Sequence, residues 1–142
     1  MKEHTWEELK ALEVGTIVHD EIGEGLRFII MRGPASLCAY IGMTKDHPLA
    51  GWSYDDIPIS AHGGLTFAGK GDDFRPKDMY WYGWDYTHSG DYNFYDYNTK
   101  GKKWLVKDVI DDCKRGTLYE AKKLMRLVEH IYNKALVLKE EG

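Results

Sequence analysis

Cysteine is scarce, with two in 142 residues, Cys38 and Cys113, far apart and in no Cys-x-x-Cys spacing. That excludes a disulfide framework and a cysteine-based zinc site, and it fits a reducing, cytoplasmic compartment. Long apolar runs are missing too. No stretch of about 18 apolar residues occurs, and Met1 to Glu8 has no apolar signal core, so the chain is expected to be neither exported nor membrane-spanning. An excess of positive charge is also absent, since 19 basic side chains face 23 acidic ones for a net charge of −4. This argues against a protein that grips long nucleic acid through its phosphates, while small anionic ligands stay open. There is no P-loop, dinucleotide fingerprint, HExxH pair or GxSxG elbow.

With 43% hydrophobic residues, a chain of this length buries roughly two thirds of its unfolded surface, enough for one ligand-binding domain over residues 1–142 without a stapling metal. The periodicities assign an α+β class. Thr5 and Glu8 have capping-box spacing and Trp6, Leu9 and Leu12 share a face, so Thr5 to Val14 reads as a short helix ended by Gly15. A strand-rich region follows over 15–98. Its strands are Thr16 to Asp20, Leu26 to Met31, Leu37 to Ile41, Leu65 to Ala68 and Met79 to Tyr86, with a loop from Met43 to Ser60. The result is an antiparallel sheet of about five strands. A helical region spans 104–139 as two C-terminal helices, Trp104 to Lys114 and Leu118 to Lys139, with Gly116 between them and a second capping-box pair, Thr117 and Glu120. The last helix would be roughly 33 Å long, more than a small sheet needs for cover. Its surplus apolar length points to a homo-oligomer through this helix; the competing reading packs the whole stripe on the chain's own sheet.

Charge is uneven along these pieces. Residues 1–25 carry seven acids and two bases, whereas residues 100–142 carry eleven bases and seven acids. Lys100, Lys102, Lys103, Lys114 and Arg115 are therefore a source of local positive potential for a small phosphate ligand, or else a solvated helix face.

Residues 46–98 crowd glycines, polar groups and aromatics without an amphipathic period. Nine aromatics fall between Tyr80 and Tyr97. If Tyr80 to Tyr86 is a strand, Tyr80, Tyr82, Trp84 and Tyr86 share one face and Trp81, Gly83 and Asp85 the other. Such a face suits stacking on nucleobases or sugars; equally, the rings would fill the core or a subunit contact. The polar groups admit a metal reading. Asp85, His88 and Asp91 recur every three residues and, with His47, His62, Asp55 and Asp56, offer oxygen and nitrogen ligands for a divalent ion. Gly90 and Ser89 place that triplet in a loop, where spacing alone imposes no common direction. Cys38 and Cys113 lie in apolar contexts and read as inert thiols.

The ordered motifs His47-Pro48-Leu49, Gly51 and Tyr54-Asp55-Asp56, then His62-Gly63-Gly64-Leu65-Thr66-Phe67, then Gly83-Trp84-Asp85 with His88, Gly90 and Asp91, resemble a widespread family of small phage and prophage proteins. Such proteins are similar, in size and in an aromatic and polar pocket, to the sponges that sequester cyclic nucleotide signals of bacterial antiphage defence. The resemblance implies a binding protein of the host cytoplasm that holds a nucleotide-derived signal without cleaving it. The residues that would contact the ligand are His47, Tyr54, Asp55, His62, Arg75, Trp84, Asp85, Tyr86, His88 and Asp91. Phosphates would be neutralised from among Arg32, Lys45, Arg75, Lys77 and Arg115. No catalytic residue, metal or cofactor is expected on this reading. The alternative is a small metal-dependent phosphodiesterase or related hydrolase using His47, His62, Asp85, His88 and Asp91.

Overall fold

The structure is a computed structural model and describes residues 3–96 and 100–141, so Tyr97, one of the nine clustered aromatics, lies outside the described residues. In chain order the elements are α1 (Trp6–Ala11), β1 (Ile17–Gly23), β2 (Leu26–Arg32), β3 (Leu37–Thr44), β4 (Phe67–Lys70), β5 (Met79–Asp85), α2 (Val106–Arg115) and α3 (Thr117–Glu141). The strands form one five-stranded sheet in the order β1-β2-β3-β5-β4, with every neighbouring pair antiparallel. The α+β class, the short N-terminal helix and the two consecutive C-terminal helices are as the sequence pattern predicts. No helix among the described residues is long and apolar enough to cross a membrane.

Local chemistry explains most boundaries. The Thr5 hydroxyl accepts from the Glu8 N–H while the Glu8 carboxylate accepts from the Thr5 N–H, closing the expected box. That helix stops at Ala11, three residues before the expected end, because Leu12 is already extended. Between β1 and β2 the chain reverses through Glu24 and Gly25, both at positive φ, which is the turn whose twist matches paired strands. Several strand boundaries move: β1 runs on to Gly23 and β3 to Thr44, each three residues past the expected end, and β4 spans Phe67–Lys70 rather than Leu65 to Ala68.

Alternation along β5 is as expected, but its aromatic face points inward. Tyr82 and Trp84, together with Tyr86 just past the strand, are buried in the main core with Phe28, Ile30, Leu37 and Ile41. The reason is the apolar faces of the helices, which require a partner: Trp6 and Leu9, Val109 and Cys113, then Leu118, Ala121 and Met125 all join this cluster. On the opposite face Ile29, Met31 and Trp81 form a smaller cluster with Tyr40 and Phe67. The β4–β5 connection covers it, with Arg75 over the rings of Tyr40 and Phe67 and the Trp81 indole donating to the Pro76 carbonyl at 3.0 Å.

Trp81 fits because its neighbour across the ladder is Gly42, where an added Cβ would meet the indole at 2.6 Å. Both partners sit in paired central strands, so the backbone has little freedom to give way. Gly42→Ala is expected to lower stability by about 1–3 kcal/mol through overpacking, read as a lower urea midpoint with an unchanged slope.

Candidate functional site

Past the end of β5 the chain turns tightly, and the turn is what aims the polar triplet. The Asp91 N–H donates to the His88 carbonyl, and the His88 N–H donates to Asp91 Oδ2, each at 2.9 Å. Asp91 is then pinned from the far side by the segment before α2, where the Tyr92 N–H donates to the Lys102 carbonyl and the Lys102 N–H to the Gly90 carbonyl, bracketing Asp91. Gly101 permits this approach, since a Cβ there would meet the Asp91 carbonyl carbon at 2.5 Å. A loop spacing that promises no direction is thus converted into one.

His62 arrives from a different loop. Its Nε2 lies 2.8 Å from Asp91 Oδ2, and its ring stacks on Tyr86 with centroids 4.6 Å apart and planes 14° from parallel. Gly63, at positive φ, packs so closely on the His88 ring that no side chain fits at that position. His88 Nδ1 lies 3.3 Å from Asp91 Oδ2, and the Trp104 indole donates to Asp91 Oδ1 at 2.8 Å. The Asp91 side chain is 2% exposed, against 24% for His62 and 33% for His88. A buried carboxylate is therefore ringed by two half-buried imidazoles and an indole. The donor atoms of His62, His88 and Asp91 all lie within 4.8 Å of one another.

Electrostatics and packing set how these groups behave. Burial pushes the Asp91 carboxyl up, but the hydrogen bonds from His62, Trp104 and the His88 N–H outweigh it and hold the group below the usual carboxylate range. Beneath His62, burial holds the Tyr86 phenol far above its ordinary value. That phenol donates to Asp112 Oδ2 at 2.8 Å and accepts from the Trp84 indole at 3.1 Å, so the site's floor is tied to α2. Beside the cluster, a cleft of about 300 Å³ is lined by Lys102, Trp104, Asp108, Asp111, Asp112 and Arg115. Three carboxylates against two cations leave it acidic.

Comparison of the chain with protein-family models, with curated proteins and with solved structures found no match.

Of the residues expected in the site, the structure brings together His62, Tyr86, His88 and Asp91, with Asp85 at the margin, 3.8 Å from His88 Nε2. The others lie elsewhere. His47 pairs with Glu129 on α3 at 3.0 Å and accepts from the Leu49 N–H. Tyr54 and Asp55 are exposed on the loop after it. Arg75 sits on the other face of the sheet, paired with Asp72. Trp84 is 1% exposed inside the core, and Tyr86 shows no exposed surface, so neither ring offers an open platform to a base. Among the cations expected to meet phosphates, Arg32 is buried and donates to the carbonyls of Gly33, Pro34 and Lys10, and Lys77 pairs with Asp73. Arg115, by contrast, does line the cleft. Sequence reading missed Trp104 as a site residue, because its spacing with Val106 and Val109 assigns it to a helix that in fact starts at Val106. Burial pushes the Cys38 thiol to about 11 and the Cys113 thiol to about 12.

Because the folded Asp91 carboxyl titrates below its unfolded value, the stability it contributes is present above the ordinary carboxylate range. It is lost as pH falls through that range and then through the folded value. Thermal melts of the native chain should therefore drop steeply below about pH 4. Asp91→Asn should start lower and show a shallower acid limb; superimposable acid limbs would show that the carboxylate carries none of this dependence.

Proposed function

We propose that the loop cluster of His62, His88 and Asp91 is a divalent-cation site through which the protein engages a phosphorylated, nucleotide-derived small molecule, and that the activity is a metal-dependent phosphoester hydrolysis. The single observation carrying this reading is the convergence of two imidazoles and one carboxylate, drawn from separate loops, on a common point at a partly open surface. Such a donor set suits zinc, manganese or iron and leaves further coordination positions for water and substrate. A cation bound there would polarise a phosphoryl oxygen and lower the pKa of a bound water. Trp104 would orient the Asp91 carboxylate and Tyr86 would hold the His62 ring, which is the supporting role metal sites require of their surroundings.

Charge favours this over direct anion binding. Asp85, Asp91 and the carboxylates of the adjoining cleft repel a phosphate unless a cation stands between them. The aromatic face expected to stack bases is core, and Arg32 and Arg75 are already engaged within the fold. Retention without cleavage, the sponge reading, remains the second proposal. It is favoured by Asp91 itself, whose carboxylate holds several hydrogen bonds and is therefore a poor general base.

The test begins with protein stripped by chelator and titrated with Zn²⁺ or Mn²⁺ by calorimetry and thermal shift. One equivalent should bind, and at a hundredfold excess over Kd it should stabilise the fold by about 2.7 kcal/mol. His62→Ala and His88→Ala should each weaken binding at least tenfold. Loaded protein is then incubated with cyclic dinucleotides and bis-p-nitrophenyl phosphate, filtered, heat-denatured and chromatographed. Products that require the cation support the hydrolase, and a ligand depleted and then recovered intact supports sequestration. Absence of cation binding, with His88→Ala altering thermal stability alone, would overturn both the cation site and the function built on it.

A further inference from the structure

A second cleft, of about 370 Å³, opens where the β1–β2 hairpin meets the bend between α2 and α3. Leu26, Phe28 and Leu118 give it an apolar floor, and its walls carry charges of both signs. The positive charges come from the helices. Leu118, Lys122 and Arg126 follow one another at four-residue spacing on the flank of α3 that faces the hairpin, and Lys114 stands at the end of α2. Arg126 is occupied, since its Nη1 lies 2.9 Å from Oε2 of Glu24 at the hairpin turn. Lys114 and Lys122 have no ion-pair partner among the described residues. Lys122 is half-buried, so part of its charge is taken from water with nothing to balance it.

The negative charge is Glu21 on β1. Its Oε1 is buried and lies 3.3 Å from Nε2 of His19, which alternation places on the same face of the strand. The His19 ring is 9% exposed, stands edge-on to Phe28 and makes no hydrogen bond among the described residues. It therefore backs the carboxylate from inside and leaves Oε2 as the oxygen open to the cleft. A plain anion entering here would be repelled by Glu21, and a plain amine by the two lysines. A molecule carrying both signs is matched at each end. The volume is at the low end of small-molecule sites, which fits a compact ligand. We propose that this cleft binds a free α-amino acid with an apolar side chain, its ammonium group on Glu21, its carboxylate on Lys114 and Lys122, and its side chain over Leu26, Phe28 and Leu118. The cleft shares no residue with the cation site, and the inference does not rest on it.

The test titrates the native chain, by calorimetry and chemical-shift mapping, with L-valine, L-leucine, L-isoleucine, L-methionine and L-phenylalanine in turn. At least one should bind with one-to-one stoichiometry. For leucine the two controls are 4-methylpentanoate, which lacks the amine, and 3-methylbutylamine, which lacks the carboxylate; each should bind at least tenfold more weakly than the amino acid. Glu21→Gln and Lys122→Gln should each weaken amino-acid binding at least tenfold. Lys122 is not part of the core, so the thermal transition of Lys122→Gln should stay near the native one, and His88→Ala should bind the amino acid as the native chain does. Failure of all five amino acids to bind at millimolar concentration would overturn the site. A deaminated or decarboxylated analogue that binds as tightly as its parent would overturn the amphoteric ligand, and binding untouched by Lys122→Gln would place the ligand elsewhere and overturn the assignment.

Discussion

A charge taken out of water has to be satisfied where it lies, and the buried carboxylate of Asp91 is the clearest instance in this molecule. Left alone, such a group costs several kcal/mol. Here it draws the His62 ring, the His88 N–H and ring, and the Trp104 indole onto two oxygens. Those donors come from the loop before β4, from the turn after β5 and from the approach to α2. One residue therefore sets the mutual positions of three segments that have little secondary structure of their own. The glycines follow from it: Gly63 lets the first loop lie on His88, and Gly101 lets the third lie on Asp91.

The sheet and its coverings form the second constraint, and they explain what was legible in the chain. Alternation along β5 depends only on local geometry, so the division of Tyr82 and Trp84 from Trp81 is readable from sequence. Which face is covered is not readable, because that depends on where the apolar sides of three helices dock. Once they dock on the tyrosine side, the platform becomes core and Trp81 needs the notch at Gly42. Likewise Thr117 and Glu120 carry a helix-start signature, yet their side chains are turned to Ser60, with the Thr117 hydroxyl donating to its carbonyl and Glu120 accepting its N–H. A local motif was outbid by a loop that had unsatisfied backbone groups to place. His62, His88 and Asp91 were visible as residues of the right kind. Their meeting depends on contacts across 29 residues and on Trp104, which no spacing rule connects to them.

His47 belongs to the same lesson from the other direction. It sits in the first of the motifs, but its ring bridges the Leu49 N–H and Glu129, so it fastens the loop after β3 to α3. Tyr82 does similar work from the sheet side, donating to the Leu49 carbonyl at 2.6 Å and accepting from the Trp52 N–H. A motif rich in histidine and aromatics can thus be scaffold at one end and site at the other. Burial and partner count separate the two roles.

What distinguishes a structural knot from a cation site at His62, His88 and Asp91 is the charge that balances the carboxylate. In a knot, the hydrogen bonds already present on the carboxylate suffice. For a metal, both imidazoles must be neutral and the cation itself supplies the balance, so metal and proton compete for the same nitrogens. The acidic cleft beside Trp104 bears on that competition, since Asp108, Asp111 and Asp112 raise the local concentration of any cation, hydrated metal included. A site meant to receive phosphate directly would carry the opposite field. On the proposed reading, the distribution of charge, more than the identity of any one residue, puts the cation before the anion in the order of binding.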